Sequence, residues 1–139
     1  RNKSDFLLKK LSESGGILGL SLYSHHLKDG TNCKLENFCE MVAKTAEIMD
    51  VNNIGIGSDL CLNQPDNVVE WMRNGTWSKS RHYGEGSKKK PGFPKQPEWF
   101  LDARGFDNLE TGLKKVGFNK EEVEGILGNN WFNFYKGIN

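Results

Sequence analysis

Two short apolar runs in the sequence each end in residues whose side chains could carry chemistry. The run Ile17 to Tyr23 is followed by His25 and His26, and the run Ile54 to Ser58 is followed by Asp59. Imidazole and carboxylate groups transfer protons and bind metals, and the glycines of the second run leave space for a ligand beside the carboxylate. Asp59 is therefore the strongest candidate, and capping of the following turn by its side chain is the alternative.

The segment between these runs predicts how they are arranged. From Leu35 to Met49, apolar residues recur at spacings of three and four, which is typical of an amphipathic helix. Two buried strands joined by such a helix form a βαβ unit, so the strands should be parallel and the connection right-handed. Parallel strands bring their carboxyl ends to one rim, so we expect Asp59 to share that rim with His26. Adjacent residues of an extended chain point to opposite sides, so only one of His25 and His26 should face the rim.

Helices are also predicted at both ends of the chain. The first helix should begin at Asn2 or Ser4 and end at Gly15-Gly16. A later helix should begin at Asp107-Asn108 and end at Gly117. Asn119 and Glu122 form a capping box that marks the start of the last one. A final aromatic cluster is expected to pack the terminal helix against the body, and it consists of Trp131, Phe132, Phe134 and Tyr135.

The stretch 64–97 differs in composition from the rest. Asn67 to Arg73 fits a short helix, whereas Thr76 to Gln96 is rich in Lys, Ser, Gly and Pro and lacks periodicity. We interpret 64–97 as a long basic loop insertion, either solvated or attracting acidic groups of a substrate or partner. Because 139 residues leave room for one sizeable core, we treat residues 1–139 as a single unit.

Charge and cysteine content exclude several classes of protein. Nineteen Lys and Arg against 18 Asp and Glu give a net charge of +1, which argues against nucleic-acid binding. The longest uncharged apolar stretch, Gly15 to Ser24, is about half the roughly 20 residues that a membrane span needs. Cys33, Cys39 and Cys61 have neither disulfide-scaffold nor zinc-finger spacing. We expect a cytoplasmic or periplasmic chain rather than a membrane-anchored one.

Three parts of the sequence together carry a resemblance to a known family. They are Arg1-Asn2 with the following helix and the strand ending in Tyr23, the helix end Ala46–Met49 with Ile54–Asp59, and the tail motifs Gly105–Leu109, Gly117–Val123 and Ile126–Asn130. These parts resemble the C-terminal region of the membrane dipeptidase (renal dipeptidase, peptidase family M19) family of the amidohydrolase superfamily. The resemblance covers nearly the whole chain except about 64–97.

The resemblance implies a fold and a set of roles. That family has a (β/α)8 barrel with two zinc ions and hydrolyses dipeptides, so the expected fold class is α/β, the C-terminal portion of a TIM barrel with parallel strands, crossover helices and a helical tail. Asp59 would bind metal and shuttle the proton of the attacking water. Arg1 would hold the terminal carboxylate of the substrate, for which its planar fork is suited. Tyr23 and His26 would stand at substrate-contacting positions.

The length of the chain limits what the resemblance implies. A full barrel needs about 250 residues, so the expected partners are a dipeptide substrate and the missing N-terminal part of the barrel, with a homodimer left open. Two zinc ions are implied for the complete protein, and weak zinc binding or none for this chain alone. Leu60-Cys61-Leu62 stands where many members have a further acid and a glycine. This departure favours the alternative, a non-catalytic binding module or an inactive fragment of a barrel hydrolase.

Overall fold

The computed structural model describes residues 3–74 and 92–138 of the chain. The helices and strands are α1 (Asp5–Glu13), β1 (Leu18–Ser21), α2 (Leu35–Met49), β2 (Ile54–Gly57), α3 (Asp66–Asn74), α4 (Gly105–Lys115), α5 (Lys120–Glu124) and α6 (Asn130–Lys136). Single 3-10 turns occur at Ser24–His26, Gly30–Asn32, Val51–Asn53 and Glu98–Phe100, and a π-helical turn at Gly125–Asn129 joins α5 to α6. Arg1 and the part of the basic loop at 76–91 lie outside the described residues.

The chain divides into two compact units. One unit is Leu60–Lys95, and the other comprises all remaining residues. The smaller unit overlaps the insertion predicted at 64–97 and contains α3, which begins one residue before and ends one residue after the helix expected from Asn67 to Arg73. Within it, the Val68 N–H donates a hydrogen bond to the Pro65 carbonyl at 3.0 Å.

The larger unit is built around the predicted βαβ arrangement. β1 and β2 pair in parallel, with Leu18 opposite Ile54 and Ser21 opposite Gly57, and α2 has the predicted limits. The prediction of a parallel pair is confirmed. β1 is shorter than the predicted run from Ile17 to Tyr23, because the Tyr23 N–H donates to the Ser21 hydroxyl at 3.2 Å and the chain then turns away.

The two faces of the sheet are covered differently. Side chains alternate along a strand, so Leu20, Ile54 and Ile56 share one face, and all three are buried. The opposite face carries the paired glycines Gly19 and Gly55, against which a tryptophan lies. Helix residues complete the core of this unit, and the fully buried apolar ones include Phe38, Cys39, Val42, Met49, Leu109, Leu113, Val123 and Ile126.

Trp131 of α6 packs directly on the glycine face of the sheet. A Cβ atom at Gly55 would lie 2.4 Å from the indole Nε1, and one at Gly19 would lie 3.1 Å from Cζ2. The indole N–H donates a hydrogen bond to the Ile56 carbonyl at 3.0 Å. Glycine is therefore required at these strand positions for the indole to approach the backbone.

The remaining helices follow their local signals, with one correction. The side-chain oxygen of Asn119 accepts a hydrogen bond from the Glu122 N–H at 3.0 Å, and the Glu122 carboxylate accepts one from the Asn119 N–H at 2.8 Å. This is the predicted capping box.

The expectation that the whole aromatic cluster packs inward is wrong, since Phe132 is 67% exposed and Tyr135 is 61% exposed. Phe132 is turned about 100° around α6 from the inward-facing Trp131, so it cannot reach the sheet.

The described residues thus form a helix-rich α/β structure with a small parallel sheet. None of the helices in the described part of the chain has the length and apolar character that crossing a bilayer requires.

Candidate functional site

The candidate site lies at the carboxyl ends of β1 and β2. Because Ser21 is paired with Gly57, the two strands end at the same level. Tyr23 and Asp59 each follow these paired residues by two positions, so both leave the sheet at one rim. The parallel register therefore produces the shared rim on which the sequence prediction depended.

A 3-10 turn from Ser24 to His26 shapes the chain after β1. The His26 N–H donates to the Tyr23 carbonyl at 2.8 Å, which closes the turn. The Tyr23 ring lies against both imidazoles, with ring centroids 5.4 Å apart for His25 and 5.1 Å apart for His26. The prediction that the histidines point to opposite sides assumed an extended chain, and these residues form a 3-10 turn instead.

Ser21 is a site residue that sequence reasoning did not select. Its hydroxyl oxygen lies 2.9 Å from His26 Nδ1 and accepts a hydrogen bond from the Tyr23 N–H. The ring of His26 thus contacts both the Ser21 hydroxyl and the Tyr23 ring, whose plane is inclined to it by 64°. The sequence feature that could have identified Ser21 is a hydroxyl residue at the end of the strand, five positions before His26. Ser24 is buried, and its hydroxyl has no hydrogen-bond partner among the described residues.

Asp59 is exposed and has an unusual backbone conformation. Its φ of +52° lies in the left-handed region, which residues other than glycine adopt at a cost of about 1–3 kcal/mol. In the described part of the chain, no hydrogen bond or ion pair engages the Asp59 carboxylate. The alternative of a turn-capping side chain therefore has no hydrogen bond to support it, and the carboxylate is open to a ligand at the rim.

Acidic, histidine and cysteine side chains are the protein groups that bind catalytic zinc. Within residues 3–74 and 92–138, no three such side chains come together in a way that could hold a metal ion. Asp59 can supply one ligand, but a catalytic zinc site takes about three protein ligands. The described residues therefore do not fit a metal site by themselves.

The two buried cysteines of the chain, Cys33 and Cys39, do not supply a thiolate ligand. Cys33 and Cys39 are buried free thiols, and Cys61 is an exposed one. Burial, followed by the nearby Glu36 carboxylate and Cys33, raises the pKa of the Cys39 thiol to about 12. Burial also raises the pKa of Cys33, with a further contribution from Asp29. Both buried thiols are therefore protonated at neutral pH, and a protonated thiol is a poor nucleophile and metal ligand.

Known structures resemble this fold. An amidohydrolase from Pseudomonas aeruginosa superposes with a TM-score of 0.79 at 25% sequence identity, covering 96% of this chain and 39% of its own. The dipeptidase AC, a metallopeptidase of family M19, superposes with a TM-score of 0.67 at 17% identity, covering 96% and 32%. A metallopeptidase from Rhodobacter sphaeroides, liganded with a phosphinate mimic of the dipeptide L-Ala-D-Ala, has a TM-score of 0.68 at 16% identity, covering 98% and 31%.

These similarities confirm the resemblance predicted from the sequence motifs. The neighbours are an amidohydrolase and two metallopeptidases, and nearly all of this chain superposes on each of them. The chain spans less than two fifths of the length of each neighbour, which is consistent with a C-terminal part of such a protein. No protein-family model matches the sequence, and no curated protein matches it either.

Proposed function

We propose that this chain is the C-terminal part of a metal-dependent hydrolase of the amidohydrolase superfamily that cleaves dipeptides. The observation that carries the proposal is the superposition of 96% of the chain on an amidohydrolase, at a TM-score of 0.79. The dipeptide substrate is supported by the Rhodobacter sphaeroides neighbour, which binds a phosphinate dipeptide mimic. Zinc, the TIM barrel and the position of the chain within that barrel are parts of this proposal.

The barrel proposal draws on the order of elements in the larger unit. The order α1–β1–α2–β2, with parallel strands in register, is the repeating βα arrangement of a (β/α)8 barrel. Such barrels place their active sites at the carboxyl ends of the strands, which is the rim described above. On this proposal the two strands are the last of the barrel, and α4 to α6 form the tail.

Asp59 is the proposed catalytic residue of this chain. Asp59 lies two residues beyond the end of β2, is exposed, and has a backbone in the left-handed conformation. It would provide one ligand to the metal and hold the proton of the attacking water. Tyr23 and His26, at the same rim, would contact the dipeptide. Arg1 remains the proposed partner of the substrate carboxylate on the basis of the sequence resemblance alone.

The metal itself would depend on residues outside this chain. A metal bound at this rim would supply an activated water for hydrolysis. Since the described residues offer no group of three ligands, the other ligands would come from the missing N-terminal part of the barrel.

A non-catalytic binding module is the second candidate. The sequence Leu60-Cys61-Leu62 favours it, because many members of the family that the chain resembles have a further acid and a glycine there. Metal analysis separates the two candidates. A complete protein that purifies without zinc, and hydrolyses no dipeptide when zinc is added, would support the binding module.

The dipeptidase proposal is tested by Asp59→Asn in the complete protein. We expect kcat for L-Ala-D-Ala to fall by at least about a hundredfold, because a positioned proton-transfer group contributes that much, while KM changes less. Asp50→Asn is the matched control. Asp50 is also exposed and has φ of +77°, but it precedes β2 at the opposite end of the strand. Near-normal turnover by Asp59→Asn would contradict the assignment.

A further inference from the structure

Ser21 is the residue at which strand β1 and the following turn meet. In the described part of the chain its hydroxyl oxygen has two partners, the Tyr23 N–H at 3.2 Å and His26 Nδ1 at 2.9 Å. The residue paired with Ser21 across the sheet is Gly57, which has no side chain. At this level of the sheet, β2 therefore offers no side chain that could compete with His26 for the Ser21 hydroxyl.

The contact with Ser21 distinguishes the two orientations of the His26 ring. A half-turn of an imidazole about its bond to Cβ exchanges Nδ1 with the ring carbon Cδ2. The Tyr23 ring, whose centroid is 5.1 Å from that of the imidazole, makes a ring contact that discriminates little between these orientations. A hydroxyl 2.9 Å from the ring forms a normal hydrogen bond with nitrogen and not with carbon. Ser21 therefore favours the orientation that places Nδ1 at the end of β1.

The hydrogen bonds of the Ser21 hydroxyl also select one tautomer of His26. The Tyr23 N–H only donates, so the hydroxyl oxygen accepts from it. The single hydrogen of the hydroxyl then has Nδ1 as its acceptor, which leaves the neutral ring with its proton on Nε2. In the other tautomer the hydroxyl would accept twice, and its own hydrogen would have no acceptor among the residues that the structure describes.

We propose that Ser21 is a positioning residue, whose hydroxyl donates to His26 Nδ1 and holds the neutral imidazole in one orientation, with its proton on Nε2, for hydrogen bonding to an oxygen atom of the dipeptide. This rests on the proposed function insofar as His26 is taken to contact the dipeptide. A dipeptide offers carbonyl and carboxylate oxygens, and a protonated Nε2 is a donor that suits both. Ser21 acts through His26 and is assigned no contact with the substrate.

The test is the protonation state of the two ring nitrogens of His26. It is measured by long-range proton–nitrogen NMR spectra of the complete protein with 15N-labelled histidine, in which His26→Gln identifies the His26 signals. At a pH at which the ring is neutral, we expect Nδ1 to be unprotonated and Nε2 to be protonated. Ser21→Ala should move both nitrogen shifts toward the average of the two tautomers, because the ring loses the hydroxyl that selects one of them.

Ser24→Ala is the matched control. Ser24 lies in the same turn, and its buried hydroxyl has no hydrogen-bond partner among the described residues, so its removal should leave the His26 tautomer unchanged. Thr and Val at position 21 provide a second comparison, because both are β-branched and they differ in the hydroxyl group. Ser21→Thr should keep the original tautomer and Ser21→Val should lose it. Circular dichroism checks that each variant is folded.

Steady-state kinetics provide the functional readout. With L-Ala-D-Ala as substrate, we expect Ser21→Ala and Ser21→Val to raise KM about fivefold, the size expected for one neutral hydrogen bond, while kcat changes less. Ser21→Thr should restore the original KM. The effect should fall on KM because Ser21 acts on a substrate contact, whereas proton transfer is assigned to Asp59.

Several results would overturn the proposal. They are a proton on Nδ1 in the unchanged protein, an unaltered tautomer in Ser21→Ala, equal effects of Ser21→Ala and Ser24→Ala, and a Ser21→Thr variant that behaves like Ser21→Val. A protein that hydrolyses no dipeptide would contradict the proposed function, and the nitrogen spectra would still decide whether Ser21 sets the His26 tautomer. An active dipeptidase with the same KM before and after Ser21→Ala would overturn the positioning role alone.

Discussion

At the scale of single residues, the site depends on short-range hydrogen bonds that hold side chains at the strand ends. Ser21 joins the His26 ring to the end of β1 through the 2.9 Å contact between its hydroxyl oxygen and Nδ1. Asp59 differs in that its position comes from the backbone, whose left-handed conformation turns the chain at the end of β2.

Asp102 offers a residue-scale prediction about pH. Hydrogen bonds from the side chain and backbone of Arg104 lower the pKa of Asp102 from its ordinary value of 3.8 to about 2. The folded pKa is the lower one, so the ion pair stabilises the fold above pH 3.8, and this contribution is lost as the pH falls through about 2. We expect Arg104→Gln to raise the pKa of Asp102 toward 3.8, measured by NMR titration of its carboxyl carbon. Lys114→Gln removes a different ion pair, Lys114–Glu110, and should leave this titration unchanged. An unchanged pKa in Arg104→Gln would contradict the assigned cause.

At the scale of elements, the contact between α6 and the sheet depends on two glycines. The indole of Trp131 occupies the space where a side chain at Gly55 would stand, and it also donates to the Ile56 carbonyl. Helix α6 is short, with seven residues, so its position depends on packing more than on its own helix propensity. This contact therefore orders the end of the chain against the strands.

Gly55→Ala tests that contact. The added Cβ would lie 2.4 Å from Trp131 Nε1, so we expect the free energy of unfolding to fall by about 1–3 kcal/mol through overpacking. Gly137→Ala is the control, because Gly137 has φ of −79° and its nearest neighbour to a Cβ would be 3.5 Å away, an ordinary contact. Urea denaturation of both variants measures the difference. Equal stabilities would show that Trp131 does not pack on the sheet as described.

At the scale of the whole molecule, apolar surface remains exposed on the larger unit. No residue of α1 is buried, and Phe6 and Leu7 are 67% and 52% exposed. Exposed apolar patches commonly mark surfaces that another part of a protein covers.

The isolated 139-residue chain should therefore lack dipeptidase activity and bind zinc weakly. Among the residues described, no three metal-ligating side chains form a group, and a catalytic zinc site takes about three protein ligands. Metal analysis after dialysis, together with an assay of L-Ala-D-Ala hydrolysis with and without added zinc, measures both properties. One tightly bound zinc ion per chain with dipeptide cleavage would contradict the prediction and would indicate a self-contained site that includes Asp59.

The elements whose signals are local could be predicted from the amino-acid sequence. The three- and four-residue spacing of apolar residues defined α2 from Leu35 to Met49, and Asn119 with Glu122 marked the start of α5, because helix periodicity and capping depend on residues close in the chain. The parallel pairing of β1 and β2 was also predictable, since a crossover helix of that length leaves few other connections.

The tertiary structure alone decided the details of the site and the packing of the tail. A turn places His25 and His26 against the Tyr23 ring, and it follows the hydrogen bond from the Tyr23 N–H to the Ser21 hydroxyl, where β1 ends. The alternation of side chains along a strand does not predict this turn. Trp131 reaches the sheet across 76 positions of sequence to Gly55, whereas Phe132 beside it is exposed. The sequence gives the type of each of these residues, aromatic or polar. Which of them are buried depends on contacts between distant segments, and these contacts form only when the chain folds.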